Sequence, residues 1–278
     1  AASGSWNDAA NWSDGAQAPP GSDVLVFDNN AQIAMTNDAS NTTRHRIVFE
    51  SGASSTHTVS GSTANLFVAV DEQSPMIQNK SSVVQTLAFP IEVGDDGLIV
   101  DTVNGVLNVT GTISGSGTIT KIGGGAGGIS GQPQNVVVTA NNTGFTGKWV
   151  VTGGNLSING DGALGAVPGS AVSDAITLNG GSLTNMSRPS GGGFGAGHGF
   201  TLNENRGITL GANGGNIHIG YTQTLTIEGA ITGTGRLSLS DNGILVLNNA
   251  NNTYQGGTRL TGTTSLQITD DACLGALP

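Results

Sequence analysis

The chain has 278 residues, of which 46 are glycine and only 10% are charged, and its formal net charge is −10. Its nine Lys and Arg are scattered and form no basic cluster, so neither nucleic acid nor an anionic membrane surface is an expected partner. No apolar run is long enough to span a bilayer as a helix, and the single Cys273 excludes an internal disulfide.

The opening thirty residues stand apart. Trp6 and Trp12 lie in a polar stretch rich in Asn, Asp and Ser, followed by Ala18-Pro19-Pro20-Gly21 and an alternating strand over residues 23–28. Residues 1–30 are expected to form an N-terminal cap and first strand, with either Val24 and Val26 or Leu25 and Phe27 facing inward. A second reading makes Trp6 and Trp12 a carbohydrate platform, because indole faces stack on sugar rings. The start at Ala1-Ala2-Ser3, without Met, reads as the product of signal-peptide removal and so as export.

Short strands follow at residues 47–49, 66–70, 87–93, 98–100 and 106–109, separated by turn signals such as Ser51-Gly52 and Gly94-Asp95-Asp96-Gly97. That spacing also describes a β-sandwich. Continuity into what comes next favours a solenoid over residues 31–278. Residues 111–120 (GTISGSGTIT) match 229–238 (GAITGTGRLS), offset by 118 positions. Residues 140–168 match 250–278 without a gap, offset by 110. The earlier copy, at about 111–168, therefore carries about eight extra residues compared with 229–278, which the spacing places in the glycine run 123–131. Strands are expected between the copies at 176–183, 200–202, 208–210, 217–219 and 225–227.

Residues 229–275 resemble the autotransporter-associated β-strand repeat, also called the passenger-associated transport repeat. The likeness is carried by Ile231-Thr232-Gly233-Thr234-Gly235, Leu237, Leu245, Leu247, Asn252-Thr253-Tyr254, Gly256-Gly257-Thr258, Leu266 and Leu274-Gly275. Residues 111–165 fit less closely, because Gly144-Phe145-Thr146-Gly147 replaces the Tyr-x-Gly-Gly-Thr element. The opening Trp6…Asn11-Trp12 is similar to a segment that often precedes such repeats in large bacterial surface proteins. The resemblance implies a right-handed parallel β-helix (a β-solenoid) on a secreted or cell-surface bacterial protein, with no catalytic residues in the repeat itself.

With roughly 20 to 25 residues per coil, the chain is expected to make roughly 11 to 14 coils, a rod roughly 55 to 65 Å long. One coil cannot stand alone: burying an aliphatic side chain gains roughly 1.5–3 kcal/mol, while ordering each residue costs about 1–2 kcal/mol. Ending at residues 274–278, where the earlier copy runs on into more strands, leaves one end uncapped. The expectation is a fragment of a longer repeat protein or a subunit that stacks end to end.

The chemistry-bearing residues are dispersed. His45, His57, His198 and His218 have no metal-type spacing. His218, between Ile217 and Ile219, is expected to point away from the core. Cys273 occupies the place of Ala163 and reads as a small buried residue. Asp95-Asp96 and Asp270-Asp271 supply too few oxygens for Ca²⁺ on their own. Glu50, Glu72, Glu92, Glu204 and Glu228 are far apart in sequence, which leaves open which of them stack on one face. The expected function is a non-enzymatic extracellular stalk, structural or adhesive, without cofactor or metal, whose partners are its own copies or surface glycans. The rival reading is a polysaccharide-binding or polysaccharide-cleaving β-helix.

Overall fold

A computed structural model describes residues 24–28, 34–37, 42–44, 46–62, 64–66, 74–124, 135–185 and 199–276. Every strand pair is parallel, and the chain winds as a three-faced β-solenoid. The first face holds nine strands, from Val24–Phe27 to Ile231–Gly233. The second holds ten, from Ala34–Asn37 to Thr258–Leu260. The third comes in two blocks, five strands from Thr42–Arg44 to Gly144–Phe145 and four from Phe200–Leu202 to Ser265–Ile268. Between the blocks, a 3-10 turn over Asp161–Leu164 takes the place of a third-face strand.

About nine turns are stacked, fewer than the eleven to fourteen expected. Registered partners lie between 20 residues apart (Val136 and Leu156) and 34 apart (Leu183 and Ile217), chiefly because the corners vary in length. At ~4.8 Å per rung, the ten-stranded face is roughly 43 Å from first strand to last.

Alternation makes the core. On the second face, Leu107, Val136, Leu156, Leu183, Ile217 and Leu239 stack in register and point inward. On the first, Ile119, Trp149, Ile176, Ile208 and Ile231 do the same. One apolar cluster runs from Leu25 to Cys273. At the first strand Leu25 and Phe27 face inward, each 1% exposed, and Val24 and Val26 face out. Trp6, Trp12 and the rest of the expected cap lie outside the described residues.

The two repeat copies build the same structure one face out of step. Ile113–Gly115 lies on the third face but Ile231–Gly233 on the first; Asn155–Ile158 lies on the second but Ser265–Ile268 on the third. The motif therefore encodes a strand–corner–strand unit that fits any face. Its G-x-G element is a tight corner: Gly115 and Gly233 have φ of 100° and 104°, and a Cβ on either would sit about 2 Å from a carbonyl oxygen of the preceding turn. Its Asn is a staple across three turns. The Ile113 N–H donates to Asn142 Oδ1 (2.8 Å), and Asn142 Nδ2 donates to the Ala163 carbonyl (2.7 Å). Asn252 repeats both bonds with Ile231 and Cys273, each at 2.7 Å.

The gapless alignment needs one local correction. It sets Gly144 against Tyr254, whereas the structure sets Phe145 there: the Phe145 carbonyl accepts from Ala166 N–H as the Tyr254 carbonyl accepts from Ala276 N–H. Both rings are fully buried. The extra residues of the first copy fall between the strands Ile119–Ile122 and Asn135–Val138, as the spacing requires.

Candidate functional site

The last described turn is open. Leu260, Ile268 and Leu274 are 48%, 36% and 37% exposed. Their counterparts in the first copy, Val151, Ile158 and Leu164, are each 0% exposed, because the strands Val172–Leu178 and Ser182–Asn185 lie over that turn. The same contrast holds for charge. Asp161 accepts from Arg206 at two points, Nε to Oδ1 (2.9 Å) and Nη2 to Oδ2 (3.2 Å), and Nη2 also donates to the carbonyls of Gly165 and Ala166 (both 3.1 Å). Arg206 is buried. Asp271, the counterpart of Asp161, is exposed, and among the described residues no cation is paired with it.

The outer side of the second face carries the main cluster of polar chemistry. Ser157, Thr184, His218 and Ser240 stack on successive rungs, with Ser182, Asn216 and Ser238 in the neighbouring column. His218 does point outward, as Ile217 and Ile219 point in, yet it is buried together with Ser157 and Thr184. The Ser157, Ser182 and Thr184 hydroxyls have no hydrogen-bond partner. His218 Nδ1 faces both Ser240 Oγ (2.7 Å) and Asp241 Oδ2 (3.4 Å), and Nε2 faces the Asn216 amide (3.3 Å). Burial holds the imidazole below its usual pKa, against the pull of the Asp241 carboxylate, so the ring is neutral at pH 7. Serine and carboxylate thus compete for one nitrogen. A nucleophile relay needs them on opposite nitrogens, with the serine donating to the base.

Two surface depressions lie at the corners. One, of about 420 Å³, is lined by glycine backbone together with Asn213, Asn216, Arg236 and Ser238. The other brings Glu204 and Glu228 together with Asn248, Asn249 and Asn251, a grouping invisible in the sequence, where the glutamates are 24 positions apart. The Asp pairs stay apart: Asp95 accepts from Ser116 Oγ (2.7 Å), and Asp270 caps the 3-10 turn Asp271–Leu274 through Ala272 N–H. Among the described residues no three His, Cys, Asp or Glu side chains converge on a metal-sized site. Cys273 is buried, in the place of Ala163. His45 and His198 lie outside the described residues. His57 packs beside the stacked rings of Phe27 and Phe49 and hydrogen-bonds Gln85.

Lys121 was not singled out in the sequence and is the most unusual group. It occupies the inward column between Val100 and Val151. Its ammonium donates to the carbonyls of Ile122, Gly123 (3.0 Å) and Gly153 (3.1 Å). Burial pulls its pKa down to about 8 from 10.5, with the Asp101 carboxylate opposing. Between those values the unfolded chain holds the proton that the folded chain has lost, so stability rises with pH there. The expected gain is about 3 kcal/mol from pH 8 to 10.5. Denaturant unfolding of wild type and Lys121→Met across that range checks it: the variant should lack this rise, and parallel curves would refute it.

Comparison of the chain with protein-family models, with curated proteins and with solved structures finds no match to any of the three.

Proposed function

We propose that this protein is a structural β-solenoid, a non-enzymatic stalk exported to the cell surface or beyond. The single observation that carries this reading is the one apolar cluster that runs from Leu25 to Cys273 through the stacked turns, which makes the described residues a continuous rod. The polar, weakly charged flanks and the resemblance to the autotransporter-associated repeat support an extracellular setting. The reading expects no turnover on a panel of acidic and neutral glycans, scored by reducing ends and unsaturated products. Turnover abolished by Ser240→Ala or by Glu204→Gln would overturn it.

Glycan binding is the second reading, and the corner depression favours it. Its volume of about 420 Å³ suits one or two sugar rings, and Asn213, Arg236 and Ser238 offer donors at its rim. Arg236→Ala should then abolish retention on the glycan that the wild type binds.

A further inference from the structure

We infer that the glycine-walled corner depression is an acidic-sugar site, in which Arg236 takes the carboxylate of the sugar. The inference rests on the glycan-binding reading above and adds which sugar the depression takes. Six of its twelve lining residues are glycine, so much of the wall is backbone and few side chains line it. Those able to bond a sugar are Asn213, Asn216, Thr234, Arg236 and Ser238. Alternation sets the last two on one side of their strand: Leu237 and Leu239 are fully buried in the core, so Arg236 and Ser238 face out. Asn216 is the registered partner of Ser238 on the neighbouring rung.

Charge selects among sugars. No carboxylate lines this depression, whereas the other corner depression is lined by Glu204 and Glu228 and by no cation. Lys80, Lys148 and Arg206 each have an acidic partner; among the described residues no carboxylate is paired with Arg236, which is exposed. Both rungs beside Arg236 are in place. Its carbonyl accepts from the Gly215 N–H (3.0 Å), and the Leu237 N–H donates to the Gly257 carbonyl (3.0 Å). The guanidinium is therefore an unused fork at the depression, and a carboxylate fits such a fork with two parallel bonds. On a chain of net charge −10, an acidic sugar has to find its cation locally. Asn216 Oδ1 is buried without a hydrogen-bond partner, an acceptor that a ring hydroxyl can satisfy. A simple carboxylate would pair with Arg236 and leave that acceptor empty; a sugar acid supplies both groups.

Calorimetric titration of the full chain with digalacturonate tests this, beside the neutral disaccharide made by reducing its carboxylates and a sulfated galactose disaccharide. Digalacturonate should bind at least about tenfold more tightly than the neutral sugar, and Arg236→Ala should remove that advantage. Arg236→Lys should restore little of it, because an ammonium keeps the charge and lacks the fork. Neither substitution should move the unfolding midpoint, since Arg236 has no partner to lose. Lys148→Ala removes the same charge beside the first-face strand Trp149–Val151 and should leave binding unchanged; an equal loss there would overturn the pairing with Arg236. Equal affinity for the neutral sugar would overturn the carboxylate rule while leaving glycan binding intact. Tighter binding of the sulfated sugar would replace the carboxylate with a sulfate ester. Binding of none of the three would overturn the inference together with the glycan reading beneath it.

Discussion

Replacing Asn142 by alanine should cost the fold about 2–6 kcal/mol, since it strands two buried backbone groups at about 1–3 kcal/mol each. The Ile113 N–H and the Ala163 carbonyl belong to turns on either side of Asn142, which bonds both. Asn142 is itself 0% exposed, so water cannot stand in. Asn142→Leu should be no better, because filling the volume leaves both groups unpaired. Asn252→Ala removes the same pair of bonds near the open end and should cost less, because the turn beyond it is already exposed. Denaturant unfolding with both variants checks the order. Equal and small losses, below about 1 kcal/mol, would show that the staple is not what joins the turns.

Trp149→Ala should be as damaging, by about 3–5 kcal/mol for the cavity alone. The indole is 1% exposed, lies between Ile119 and Ile176 in the inward column, and meets Phe145 edge-on with centroids 5.9 Å apart. Its Nε1 also donates to the Leu164 carbonyl (3.0 Å), which ties the first face to the 3-10 turn that interrupts the third. Trp149→Phe keeps most of the packing and loses only that bond, so it should cost about 1–3 kcal/mol. A Phe variant as unstable as the Ala variant would place the energy in the hydrogen bond and not in the packing.

The solenoid itself was legible because its signal is local. Apolar pairs at period two and glycine corners are written within 20 or 30 residues, and a repeat offset by 110 to 118 positions writes them twice. The number of turns was not, because corner length sets it and glycine-rich corners carry no periodicity. The repeat alignment also hid that its copies sit on different faces, since Ile113 and Ile231 face the core equally well from either. Within the site, Ile217 and Ile219 fixed the direction of His218 correctly, but its burial and its contacts with Ser240 and Asp241 depend on the neighbouring rung. Glu204 and Glu228 meet only through the stacking of turns. Lys121 escaped notice because period two from Ile119 places a cation in the core, a placement that only the three carbonyls at the end of its strand make tolerable.

Native-state hydrogen exchange along the unmodified stack tests most directly whether each turn is held by its neighbours. Amides of the interior strands from Leu98–Thr102 to Gly215–Ile219 should exchange slowest, and protection should fall stepwise through Ile244–Leu247 to Ser265–Ile268 at the open end. Uniform protection, with Ser265–Ile268 as slow as Asn155–Ile158, would contradict the account, because it would mean that the last turn needs no cover.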